Sequence, residues 1–379
     1  MIVVIVASAT AGGAPSHFLV TNDDQGTVFP PSTLSFYPIA PDGSLAAPAH
    51  VSTGGNGVAG GFFGANRLLI APNGPDECLY ASNAQSENVS GIDIHTHKLA
   101  GPVRGSVPDH KLARNGIALA VSATHLYAAF SGSGNIGVFE RQPACALKFI
   151  ADFPAKGLAG GFAESLAIHG NMMIAAYGDG SIESFDVSAG MPRSNGDAQN
   201  STRAQDDYFP DSIDITSDGH YAIFGSGSAD AAVQVSDISS GKLTPTLVYT
   251  LGTAWNSSSV RLSPDERVLY ISNNSAGRVT AAFFDKNTGK VRQGCTSAPL
   301  KGYYEQFTYL GAVATGLSTG TGGLLYVPEF NAQKKSYLGV LRFIATPTGC
   351  TLTEIAHSPF AGVPGSALLS IAVYPPRPF

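Results

Sequence analysis

VRLSPDERVLYISNNSAGRVTAAFFD, residues 260–285, decides how the rest of the chain is read. Val260 to Leu262 is extended, and Ser263-Pro264-Asp265-Glu266 is a turn in which proline pre-sets φ. Val268 to Ser272 is β-branched and aromatic, the composition of a strand, and Asn273-Asn274-Ser275 ends it. Val279 to Asp285 makes a third strand. The unit is strand, tight turn, strand, short polar loop, strand.

The same unit recurs along the chain. Its middle strand is found at His17–Asn22, Leu79–Asn83, Leu126–Phe130, Met173–Tyr177, Tyr221–Gly225, Leu269–Asn273 and Leu325–Glu329. The end positions are 61, 47, 47, 48, 48 and 56 residues apart. A period of roughly 40–50 residues with several strands per unit is the signature of a β-propeller. Seven copies predict seven four-stranded blades in an all-β fold.

An apolar inner strand precedes six of the middle strands: Leu68–Ala71, Ile117–Val121, Leu166–His169, Ile213–Thr216, Val260–Ser263 and Ala312–Gly316. The first copy lacks one. The chain ends on a spare, Ser370-Ile-Ala-Val-Tyr-Pro-Pro376, so this C-terminal strand is expected to pair with His17–Asn22 and close the ring. Closure removes the free edges of an open circle of sheets. Deleting the C-terminal strand should therefore do more damage than a usual tail truncation, and trimming Met1 to Pro15 very little.

Composition agrees with many short strands and turns. The 379 residues include 44 Gly and 24 Pro, only 13% are charged, and 44% are hydrophobic. Mean hydropathy is +0.09 and the pI is near 5.8. With a net charge of -6, no basic surface points to nucleic acid or anionic lipid. Residues 16–379 read as one propeller, because repeat architectures exceed the usual domain length.

Residues 1–15 are an apolar N-terminal segment with small residues at Ala7-Ser8-Ala9. It reads either as a signal peptide lacking its basic start or as an apolar tail. A periplasmic or secreted protein is expected, with a cytoplasmic one as the alternative. No segment is long enough to span a membrane. Cys78, Cys145, Cys295 and Cys350 show no metal-ligand spacing. Either they pair between neighbouring repeats, as Cys78–Cys145 and Cys295–Cys350, or they are four buried thiols.

With SPDERVLYISN and DKNTGKV in one blade, the chain resembles the lactonase-type seven-bladed propellers. These include the 6-phosphogluconolactonase-like proteins, the fungal carboxymuconate-lactonising enzymes and the YVTN-repeat surface proteins. The resemblance covers nearly the whole chain through its turn and strand residues, and it implies a lactone-processing site at the central funnel. In propellers of this type, the loops leading into the inner strands and those leaving the middle strands share one face.

The positions leading into the inner strands are Asn66-Arg67, Arg114-Asn115, Glu164-Ser165, Asp211-Ser212, Ser258-Ser259, Leu310-Gly311 and Gly365-Ser366. On the lactonase-like reading, Glu164 and Asp211 are the catalytic carboxyl groups, with pKa values raised in a partly desolvated funnel. Arg67 and Arg114 hold a substrate carboxylate or phosphate by bidentate hydrogen bonds. Asn115, Asn83, Tyr177, Asn273 and Glu329 complete the binding residues. The competing reading is an ion-paired ring of Arg67, Arg114, Glu164 and Asp211 that merely satisfies the funnel mouth.

Ala59-Gly-Gly-Phe62 and Ala159-Gly-Gly-Phe162 look like copies. They are either ligand-approaching loops or tight loops that pack each Phe into a neighbouring blade. Ser188 to Phe209 is a polar segment that reads as a lid or an insertion. No nucleophile-elbow motif is present. The histidines, with His125, His169 and His220 on the far face, share no ligand spacing, so neither metal nor cofactor is expected. The expected function is a monomeric lactonase-like hydrolase acting on a small-molecule lactone or sugar acid. The alternative is a non-catalytic periplasmic or surface propeller that binds a ligand or a protein.

Overall fold

The computed structural model describes residues 17–23, 32–57, 67–104, 117–130, 134–201, 212–225, 232–251, 257–273, 276–302, 314–315, 322–330, 336–361 and 370–376. They form seven antiparallel sheets, each a strand meander, arranged as seven blades. Blade 6 shows how residues set the unit. Ser257–Leu262 pairs with Val268–Asn273, which pairs with Arg278–Asp285 and then Lys290–Thr296. In its turn the Glu266 N–H donates to the Ser263 carbonyl, and Ser263 Oγ donates to Asp265. Glu266 takes the positive φ of 57° that ends the turn.

The C-terminal strand closes the ring. Ser370–Tyr374 runs antiparallel to Phe18–Asn22, from Phe18 opposite Tyr374 to Asn22 opposite Ser370. The closing blade thus takes its inner strand from one end of the chain and the other three from the opposite end.

Buried side chains gather in the seams between blades. Among the described residues there are seven apolar clusters, and each joins two neighbouring blades. The Leu-Tyr pair of the middle strands explains part of this. Tyr127 is fully buried, and its hydroxyl donates to the Gly190 carbonyl of the next blade. Tyr326 reaches Gly43 across the closing seam in the same way. Tyr80 accepts a hydrogen bond from Arg141 Nε of blade 3. Each ring packs in one seam while its polar tip is satisfied by the following blade.

Both cysteine pairings expected from neighbouring repeats are present. Cys78–Cys145 joins blades 2 and 3, and Cys295–Cys350 joins blades 6 and 7. One expectation changes. The start of the polar segment 188–209 is neither lid nor insertion, because Arg193–Ser194 and Gln199–Asn200 pair with Ser181–Asp186 as the broken outer edge of blade 4. An outer edge faces water, so no hydrophobic alternation marks it. Residues 202–209 lie outside the described residues.

A candidate active site at the funnel mouth

Glu164 sits where the chain leads into the inner strand of blade 4, Ala163–His169. The ladder slips there: Ala163 pairs with Tyr177 and Ser165 with Ala176, leaving Glu164 as the extra residue of a β-bulge. A bulge re-aims the side chain of the unpaired residue, and bulges concentrate beside active sites. The backbone slips in the same way between Ser257 and Ser259 in blade 6.

The Glu164 carboxyl is largely shielded, and Oε2 has no hydrogen-bond partner. Burial, with a smaller push from the Asp179 carboxylate, raises its pKa to about 7. Gly178 makes room for it, since a Cβ there would lie 2.6 Å from Oε1. Asp179 is the opposite case. Burial works against its charge, but hydrogen bonds from Ser181, Gly161 and Ala159 outweigh this and hold its pKa below the ordinary value. The Ala159 and Gly161 N–H groups donate to Oδ2 at 2.8 and 3.0 Å, and Ser181 N–H and Oγ donate to Oδ1. Two neighbouring carboxyls are thereby driven apart, one favoured in its ionised form and one titrating near neutrality. That separation is how a site assigns acid–base roles.

The same contacts decide between the two readings of the loop before Glu164. Its glycines wrap Asp179, and a Cβ on Gly161 would lie 2.5 Å from the Asp179 backbone nitrogen. Phe162 lies against Gly134 of blade 3 with one side of its ring exposed. Residues 157–162 are therefore a tight packed loop. The similar stretch 59–62 lies outside the described residues.

The other candidates fall into three groups. Arg114, Asn115 and Asp211 lie outside the described residues. Arg67 stands just ahead of its inner strand, only 2% exposed, and its carbonyl accepts the Ser82 N–H. Asn83, Asn273, Tyr177 and Glu329 end their middle strands as expected, but all four side chains are buried. Asn83 donates to Asn88 and Ser90, Asn273 to Thr280, and Tyr177 to Glu183. These bonds all run within a blade. Neither Glu329 carboxyl oxygen accepts a well-formed hydrogen bond.

Sequence reasoning passed over two acidic groups. Asp179 lies in the run Tyr-Gly-Asp-Gly-Ser, where the flanking glycines read as an ordinary turn. Asp23 follows the first middle strand and is fully buried. Burial raises its pKa to about 6 despite hydrogen bonds from Thr21, Thr33 and Ser35. Among the described residues, no group of three or more His, Cys, Asp or Glu side chains could hold a metal ion.

The fold has solved counterparts. A Bacteroides fragilis protein provisionally named a 6-phosphogluconolactonase superposes with a TM-score of 0.64, over 97% of this chain and 99% of its own, at 16% identity. One from Bacteroides uniformis with the same provisional name gives 0.64, over 94% and 99%, at 13% identity. The fold is a seven-bladed β-propeller, shared with these two proteins. Kuenenia stuttgartiensis hydrazine synthase also matches this propeller, with a TM-score of 0.52 over 73% of this chain and 76% of its own at 19% identity. One architecture thus carries unrelated names, and chemistry must be argued from the site. No protein-family model matches the sequence, and no curated protein matches it.

Proposed function

We propose that this propeller is a lactonase-like hydrolase acting at its funnel mouth on the lactone of a sugar acid or a related hydroxy acid. The observation that carries the proposal is the Glu164 bulge: a shielded carboxyl with one oxygen unpartnered and a pKa near 7, beside a carboxylate that stays ionised. Near neutral pH such a group exchanges a proton readily in either direction. Glu164 takes a proton from water as the hydroxide adds to the lactone carbonyl. The ring C–O bond then breaks, and Glu164 returns the proton to the departing alkoxide. One lactone and one water become one hydroxy acid. Arg114 is assigned to an anionic group on the substrate, and Asp211 to a second carboxyl at the mouth. The two disulfides support a periplasmic or secreted location.

The test is pH-stat hydrolysis of a panel of sugar-acid and aliphatic lactones by wild type, Glu164→Gln and Asp211→Asn. Acid release lost in Glu164→Gln with the fold intact supports the proposal. Release unchanged in that variant removes Glu164 from it. A second reading, a ligand-binding propeller without catalysis, draws on the burial of Asn83, Asn273 and Tyr177, which leaves fewer polar groups for a substrate. No hydrolysis of any lactone, with a sugar acid raising Tm, would favour that reading.

A further inference from the structure

A cavity of about 620 Å³ occupies the central channel, lined by inner strands from six of the blades. It opens between the turns that join inner to middle strands, among them Ser122–Thr124 and Gly170–Asn171. This is the opposite end of the inner strands from Glu164. Its size falls within the roughly 300–1,000 Å³ of small-molecule sites.

The wall is two-sided. Leu69, Val121 and Ala372, from blades 1 to 3, present an aliphatic surface. His169, Asp214 and Arg261, from blades 4 to 6, present polar groups, and Arg141 lines the cavity from blade 3. Arg141 spends its N–H groups on Tyr80 Oη and the carbonyls of Ser122, Ala123 and Pro72, so its charge is held in place by neutral partners. Asp214 accepts the backbone N–H groups of Ile215 and Leu262. Two guanidinium groups thus stand against one carboxylate, in a chain whose net charge is -6. A guanidinium has five donors, so Arg261 can serve a ligand together with its protein contacts.

We propose that this far-face cavity is a second ligand site, for an organic monoanion with an aliphatic body, such as a medium-chain carboxylate. The carboxylate is placed beside Arg261 and His169, and the hydrocarbon lies along the blade 1–3 wall. Burying an apolar tail there is favourable at about 25 cal/mol per Å², and an anion meets the excess positive charge.

Isothermal titration of the full chain with octanoate, 1-octanol and octylammonium tests this. Octanoate should bind saturably at one site, at least about tenfold more tightly than octylammonium. Arg261→Met should weaken octanoate by about tenfold and leave 1-octanol unchanged. Ala167→Phe, which fills the channel, should abolish binding of both with an unchanged circular dichroism spectrum. Glu164→Gln should bind octanoate as wild type does, which separates this site from the funnel mouth. No saturable octanoate binding, equal binding of the three probes, or an Arg261→Met titration like that of wild type would overturn the proposal. So would loss of octanoate binding in Glu164→Gln.

Discussion

Replacing Glu329 by Gln should make the protein more stable at alkaline pH and leave it almost unchanged in acid. Glu329 is 2% exposed in the seam between blades 6 and 7, and neither carboxyl oxygen accepts a well-formed hydrogen bond. A Cβ on Gly302 or Gly339 would strike it, at 2.2 and 1.9 Å, so the two glycines leave the space the carboxyl fills. Burial, then the nearby Glu354 carboxylate, raises its pKa from 4.5 to about 8, against smaller opposing effects of the Gly302 N–H and Lys301. The folded-state value lies above the unfolded one. The stabilising contribution is therefore fully present below about pH 4.5 and is lost as pH rises through about 8. At about 1.4 kcal/mol per tenfold, the loss attributable to Glu329 between pH 5 and pH 9 is roughly 4 kcal/mol, a large part of a typical folding free energy. Glutamine keeps the shape and cannot ionise. Urea unfolding of wild type and Glu329→Gln at both pH values should give curves that nearly coincide at pH 5 and separate by several kcal/mol at pH 9. Asp23 and Glu164 also titrate, but they contribute equally to both proteins and cancel in the difference. A stability difference that is the same at the two pH values would refute the argument.

Three further outcomes follow from the packing. Cys295→Ala/Cys350→Ala should lower stability by about 4 kcal/mol in urea, because the bond closes a loop across a separation of 55 residues; a change below 1 kcal/mol would sink this estimate. Ile371→Ala, in the closing strand beside Leu19 and Tyr326, should cost about 3 kcal/mol by the same assay, whereas a change of a few tenths would mean the ring holds without that strand. Asp179→Asn removes the charge that pushes Glu164 upward and replaces one of the two oxygens that gather Ala159, Gly161 and Ser181 with an amide NH2. Carbon-13 NMR of labelled glutamate should then show Glu164 titrating at a lower pH than in wild type, and an upward move would contradict the assigned interaction.

The blade pattern was legible because burial dictates it. A middle strand packed on both faces must be largely apolar, and the Leu-Tyr pair recurs in four of the seven because a large ring fills the seam while its polar tip can reach the next blade. The spare strand at 370–376 was legible because an apolar run with no following partner must find one elsewhere. The site was less legible. Whether Glu164 faces its neighbour or stands alone depends on how Ala163 and Ser165 register against residues 176 and 177, and a bulge of one residue leaves no periodic trace. The placement of Asn83 and Asn273 at strand ends was readable, but the inward turn of their amides depends on partners five to seven residues away that only the folded hairpin supplies. The outer edge at 193–200 escaped notice because two short pairings in a polar stretch carry no alternation.

The pH dependence of kcat/KM for lactone hydrolysis shows whether Glu164 is the working acid–base group. That quantity reports the ionisation of the free enzyme. For wild type the account predicts a limb with an apparent pKa near 7, rising with pH as Glu164 becomes the base. In Glu164→Gln the limb should vanish and activity should fall by about 10²–10⁴. A wild-type profile that persists unchanged in Glu164→Gln would contradict the account.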